Sequence, residues 1–309
     1  ESVSQDVQET VFDHLHATAY RQSSLAYTIL GPAENINKIS REDILNYVQT
    51  HYTANRIAVA VVGDVEHADV AASVQKHFSK IPSQPTNGRK PNRGVANFVG
   101  SDFRLRDDDM PDCHVAVGFE TAGWNDPDHY ALMAFQMMLG NYSAARGMTD
   151  QYSNSELVQD LTVHGTGHSV SPFNTVYSDT GIFGLYGTMA PNEVDLCVDD
   201  MIMAMIRPVF NVPAEGLKEA KNKLQLSLLA QYEGTETTCQ ELGRQLLTHN
   251  RRIHPVEVMK RIEDVQQGDV QRVAKRFFYD QDFAISAVGN SFELQDYPFL
   301  RKKNTAGWF

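Results

Sequence analysis

One pattern of apolar and polar positions is written twice along the chain. From Asp43 to Gly63, "DILNYVQTHYTANRIAVAVVG", the residues Ile44, Val48 and Tyr52 share a helical face, a polar turn follows, and Arg56–Val62 is apolar on both sides of a pleat. From Asp269 to Gly289, "DVQRVAKRFFYDQDFAISAVG", Val270, Ala274 and Phe278 take the same face and Phe283–Val288 is again a buried-strand run. The stretches align without a gap, since 269 − 43 and 289 − 63 both equal 226. Ser40 and Asp43 have the spacing of a capping box, which starts the first helix. Strands apolar on both faces are expected beneath helices.

A period this long describes a duplicated domain, not a solenoid. Strand-like sequence in the second copy begins near Asn97, so the repeat predicts about 130 residues ahead of Glu1. Residues 1–82 then form the C-terminal part of a first domain that is truncated at its N-terminus. "PSQPTNGRKPNRG", rich in Pro, Gly, Asn and basic residues, makes 83–94 the linker, and 95–309 is the second domain. Within it Val95–Arg104 and Cys113–Glu120 read as strands, Asp126–Gly140 as a helix, and Val163–Met189 as strands. Asn192–Arg207, Pro213–Tyr232 and Thr237–His249 read as helices. The expected class is α+β: two similar domains, each a mixed or antiparallel sheet packed with helices. "MIMAMI" (Met201–Ile206) is expected in the core.

Composition narrows the function. A hydrophobic share of 42% and a charged share of 21% are those of an ordinary globular protein. The net charge of −12 opposes a nucleic-acid surface, which needs clustered Lys and Arg. It suits basic peptides only weakly. Cys113, Cys197 and Cys239 are far apart with no CxxC spacing, so neither a disulfide framework nor a cysteine zinc site is expected. No apolar run reaches the roughly 20 residues of a transmembrane helix.

Assembled catalytic motifs are missing from the sequence: HExxH, HxxEH, GxSxG, GxxxxGK[ST] and GxGxxG find no match. His14 and His16, two apart, cannot share a metal from one helix face and are expected as packed or solvated side chains. His164 and His168 are four apart, but the "GTG" between them opposes a helix, and a strand would hold them well apart. No CxxCH or axial ligand pair points to haem.

Several stretches resemble one family: "VFDHLHATAY" (Val11–Tyr20), "TILGPAENI" (Thr28–Ile36), "ISREDILNYVQTHY" (Ile39–Tyr52), "YSDTGIFGLYG" (Tyr177–Gly187), "GRQLLTHNRRI" (Gly243–Ile253) and "FYDQDFAISAVG" (Phe278–Gly289). They are similar to the family of mitochondrial processing peptidase β subunits and complex III core protein 1. The resemblance runs from about Glu9 to the C-terminus. It implies two similar α+β domains, in agreement with the repeat.

It also implies that the zinc site of active members, an HxxEH helix with a distal glutamate, lies upstream of Glu1. No cofactor is then expected on the residues of this chain. Glu9 matches a second glutamate on the helix of the distal ligand and would orient metal ligands. The competing reading makes it a carboxylate favoured by the helix N-terminus. The tail "LQDYPFLRKKNTAGWF" resembles the ending of complex III subunits, so Tyr297, Arg301, Trp308 and Phe309 are expected to hold a neighbouring subunit.

The implied function is a matrix-side core subunit 1 of complex III in the mitochondrial inner membrane. Its implied partners are a second core protein related to the processing peptidase α subunit, cytochrome b, cytochrome c1 and the iron–sulfur protein. The alternative is the zinc-dependent β subunit of processing peptidase, acting on presequence peptides, or both roles in one chain.

Overall fold

In the computed structural model, residues 6–89, 94–147 and 153–305 are described. Contacts divide the chain into two compact units, residues 1–28, 95–226 and 256–309 in one, and 29–94 with 227–255 in the other. Trp308 and Phe309 lie outside the described residues.

The larger unit is built on one six-stranded sheet: β1 (Ser101–Arg106), β2 (Cys113–Thr121), β3 (Tyr142–Ser143), β4 (Ser169–Val176), β5 (Gly181–Met189) and β6 (Phe283–Gly289). Their spatial order is β1-β6-β2-β5-β4-β3; β1 runs parallel to β6 and the other pairings are antiparallel. The sheet is therefore mixed, as the sequence leads one to expect. Alternation sends Val115, Val117, Phe119, Phe183, Leu185, Phe283, Ile285 and Ala287 to one face and Ala116, Ile182, Tyr186, Ala284 and Val288 to the other.

Helices cover the first face: α5 (His129–Leu139), α6 (Glu156–His164), α7 (Val194–Ile206) and α11 (Gln267–Phe277). Met201 and Met205 are buried in this layer, where core packing was expected of them. The rings of Phe119, Phe135, Phe183 and Phe278 meet there at centroid distances of 5.3–5.5 Å. The second face is covered by α1 (Val7–Ala19), whose Val11, Leu15 and Ala19 are fully buried against it. Also described are α8 (Ala214–Gln231), α10 (Pro255–Glu263) and α12 (Tyr297–Lys303), the last burying Leu300 completely.

In the smaller unit α2 (Ala33–Ile36), α3 (Arg41–His51), α4 (His67–Phe78) and α9 (Thr235–His249) accompany the extended segment after Arg56. The capping box at Ser40 is present: its hydroxyl accepts from Asp43 N at 3.3 Å, and its own N–H donates to the Asp43 carboxylate at 2.9 Å.

Three expectations are corrected. The compact units do not follow the division at 82–95: α1 belongs with the sheet of the second copy, because its apolar stripe fits that sheet's second face. Likewise 227–255 belongs with 29–94, where Cys239 Sγ donates to the Ala60 carbonyl at 3.3 Å. Second, Arg56–Val62 has no strand partner among the described residues, although its counterpart β6 lies in the middle of a sheet. Third, Val163–Met189 is not strand throughout. α6 runs to His164 and stops at Gly165, a left-handed residue (φ 66°), and β4 begins only at Ser169.

Candidate functional site

Asp6 caps α1 by accepting from Glu9 N at 3.2 Å, which leaves the Glu9 carboxylate exposed in the first turn. The two histidines that follow are used in packing. His14 stacks on Phe103 of β1, centroids 4.0 Å apart, and burial lowers its pKa below the ordinary value. His16 Nδ1 is 2.8 Å from the Phe12 carbonyl, so it donates there, and Nε2 accepts from the Tyr177 hydroxyl at 2.7 Å. This pair ties α1 to the turn between β4 and β5. Tyr20 continues the contact by donating to the Gly181 carbonyl at 3.2 Å.

His164 and His168 face different carboxylates. His164 Nδ1 lies 2.8 Å from the buried Asp200 on α7, and His168 Nε2 lies 3.1 Å from Asp112. The strand–helix break at Gly165 separates them. Among the described residues no group of three or more His, Cys, Asp or Glu side chains could hold a metal ion. Within these residues no such group is assembled beside Glu9. Cys113 and Cys197 are free, buried thiols whose pKa values burial pushes up to about 12, which makes them poor nucleophiles.

The tail is fastened to its own chain. The Tyr297 ring packs on Phe283 with centroids 5.3 Å apart, and Gly100 leaves room for its hydroxyl, which would sit 2.5 Å from a Cβ there. Arg301 donates to Asp282 Oδ1 at 2.6 Å and to the Asp280 carbonyl at 2.8 Å. These two residues of the expected interface set fix α12 beside β6; the aromatic side chain that α12 leaves exposed is Phe299.

A feature not anticipated from the sequence is a polar cleft of about 590 Å³ at one end of the sheet. It opens because β2 runs past the first residue of β6, Phe283 being paired with Phe119. Glu120, Asp126, Asp179 and Asp282 line it with one cation, Arg276. Arg276 is held by Asp126 at 3.2 Å, and Asp282 by Arg301, so only Glu120 and Asp179 are left with neutral donors. The residues come from four separate segments, and no local spacing announces them.

Residues 38–224 match the family described as peptidase M16 inactive domain. The chain is 41% identical over 308 residues to a probable mitochondrial-processing peptidase subunit beta of Arabidopsis thaliana, covering 98% of this chain and 57% of that protein. It is 40% identical over 310 residues to the mitochondrial-processing peptidase subunit beta of Blastocladiella emersonii, covering 97% of this chain and 64% of that one. The chain thus spans between half and two thirds of the length of these relatives. Its fold is that of a chain in the solved complex III2 from Candida albicans, with a TM-score of 0.89 at 22% identity over 98% of this chain and 72% of that chain.

Proposed function

Since the chain belongs to the peptidase M16 family, we propose that it works as the non-catalytic, structural part of a mitochondrial β-type subunit. The observation that carries this is the match of 38–224 to the family's inactive domain. His14, His16, His164 and His168 are each engaged with a ring, a carbonyl, a hydroxyl or a carboxylate. The role we assign is a matrix-side core subunit 1 of complex III at the mitochondrial inner membrane. There it would pair with a second core protein and support cytochrome b, cytochrome c1 and the iron–sulfur protein. No helix among the described residues is long and apolar enough to cross a membrane, so attachment would run through those partners.

A second reading is favoured by the names of the relatives: a β subunit of processing peptidase, acting on presequence peptides. Zinc would then be held outside the residues described here. Purification of the tagged parent protein from mitochondria in mild detergent separates the two. The core-subunit reading predicts co-purification of b- and c-type haem absorption with no dependence on added presequence peptide. A haem-free pair that cleaves the peptide supports the second reading, and a haem-free preparation without cleavage contradicts both.

A further inference from the structure

Asn87–Gly88 is the only Asn-Gly pair in the sequence. Every other asparagine precedes a residue whose Cβ shields the following backbone nitrogen, and glycine carries no such shield. Gly88 has φ +69°, in the left-handed region, and a Cβ there would meet nothing within 4 Å. Backbone conformation, not crowding, is therefore what calls for glycine at this turn.

The Asn87 side chain is half-buried, and its amide group holds the segment after α4 onto α3. Nδ2 donates to the Asn46 carbonyl at 3.1 Å and to the Thr50 hydroxyl at 2.7 Å. Oδ1 accepts from Arg89 N at 3.1 Å. Thr50 is buried, and its hydroxyl donates to the same Asn46 carbonyl at 2.7 Å. All of these residues belong to the smaller unit, and the segment leads out of it towards Val95.

We propose that Asn87 is a site of spontaneous covalent modification, deamidation, and that its docking on α3 controls the rate. The Gly88 nitrogen, its proton lost to hydroxide, attacks Asn87 Cγ and closes a cyclic succinimide. The bond from Cγ to Nδ2 breaks, and that nitrogen leaves as ammonia after taking a proton from water. Water then opens the ring at either carbonyl, giving aspartate or isoaspartate. No electrons change hands, and water is the only co-reactant. Because the leaving nitrogen makes both bonds to α3, the reaction runs through the undocked side chain. Afterwards a carboxylate stands where Nδ2 donated. It has no proton for the Asn46 carbonyl, and the Thr50 hydroxyl can donate to only one of the two. The connection out of the smaller unit then loses its tie to α3.

Incubation of the intact chain under mildly alkaline conditions tests this, with peptide mapping by mass spectrometry and enzymatic methylation of isoaspartate. Asn87 is expected to convert before any other asparagine. Its rate should be at least about 10-fold below that of a free peptide covering 81–93, because the docked state must open first. Thr50→Val keeps the shape and removes one acceptor, so conversion should be about fivefold faster. Asn87→Asp, which imitates one product, should give about fivefold faster tryptic cleavage after Arg89, since cleavage follows the undocked population. Conversion of another asparagine ahead of Asn87, or none at Asn87 in Thr50→Val, overturns the site. A rate equal to the peptide's and unmoved by Thr50→Val overturns the control by docking, as does unchanged cleavage in Asn87→Asp. These outcomes are independent of haem and of presequence cleavage.

Discussion

Gly184→Ala is expected to unfold the larger unit under conditions where Gly187→Ala leaves it folded. Gly184 sits in the central strand β5 opposite Gly118, and a Cβ on it would overlap the Val117 carbonyl oxygen of the neighbouring strand. It would also come within 2.8 Å of the end of the Phe173 ring, which stands edge-on to Phe12 of α1 at 4.9 Å and 86°. Neither obstacle can step aside: one is backbone in a ladder, the other a ring wedged under a helix. Overpacking by one methyl ordinarily costs about 1–3 kcal/mol, and a backbone collision belongs at or above the top of that range. At Gly187 the nearest atoms are the ends of Met189, Val170 and Met201, at 2.9, 3.3 and 3.4 Å, which can shift. Thermal unfolding followed by circular dichroism should show Gly184→Ala lowered by about 10 °C or more, given roughly 2–4 °C per kcal/mol for a unit of this size. Gly187→Ala should fall by less than half as much. Equal effects would mean that the close approach of β2 and β5 is not what requires glycine at 184.

The next largest effect is expected at Asp128. Its side chain is 1% exposed and receives Arg272 and Arg276, one turn apart on α11, the latter at 2.6 Å. It also stands at the first turn of α5, where a carboxylate favours the helix. Asp128 therefore joins α5 to α11 across the helical layer. Removing a fully buried partner costs about 3–5 kcal/mol. Here both guanidinium groups are about half exposed and regain water, so Asp128→Ala should cost nearer 2 kcal/mol. Either arginine alone should be worth less, because the other still neutralises the carboxylate. Arg272→Ala with Arg276→Ala should cost more than the sum of the two, since the double variant leaves a buried charge unpaired. Urea unfolding of the four proteins measures this; simple additivity would show that the network is not shared through Asp128.

Much of the fold was legible because its signals are local. β6 and α11 carry uninterrupted apolar runs at strand and helix spacing. α7, α8 and α9 fall within two residues of the ranges expected, since caps and turns bound them. The helix α6 was not read, although Ser155 caps it by accepting from Val158 N and Gly165 ends it; a short helix followed closely by strands blurs both periods. The assignment of α1 to the other copy's sheet could not be read at all. Val11, Leu15 and Ala19 announce a buried stripe but not which sheet buries it. The same holds for the acidic cleft, which exists only where the ends of β2, β6 and α11 meet. Arg56–Val62 has the composition of a central strand but pairs with no strand among the described residues, because composition records how apolar a segment is and not what stands beside it.

The most direct test of the account compares the two copies within one sample of this chain. Hydrogen exchange should protect 283–289 to the limit set by global unfolding of the larger unit, while 57–63, nearly the same sequence pattern, exchanges within the time of local fluctuations. Comparable protection of the two segments would contradict the claim that the strand is written twice and seated once.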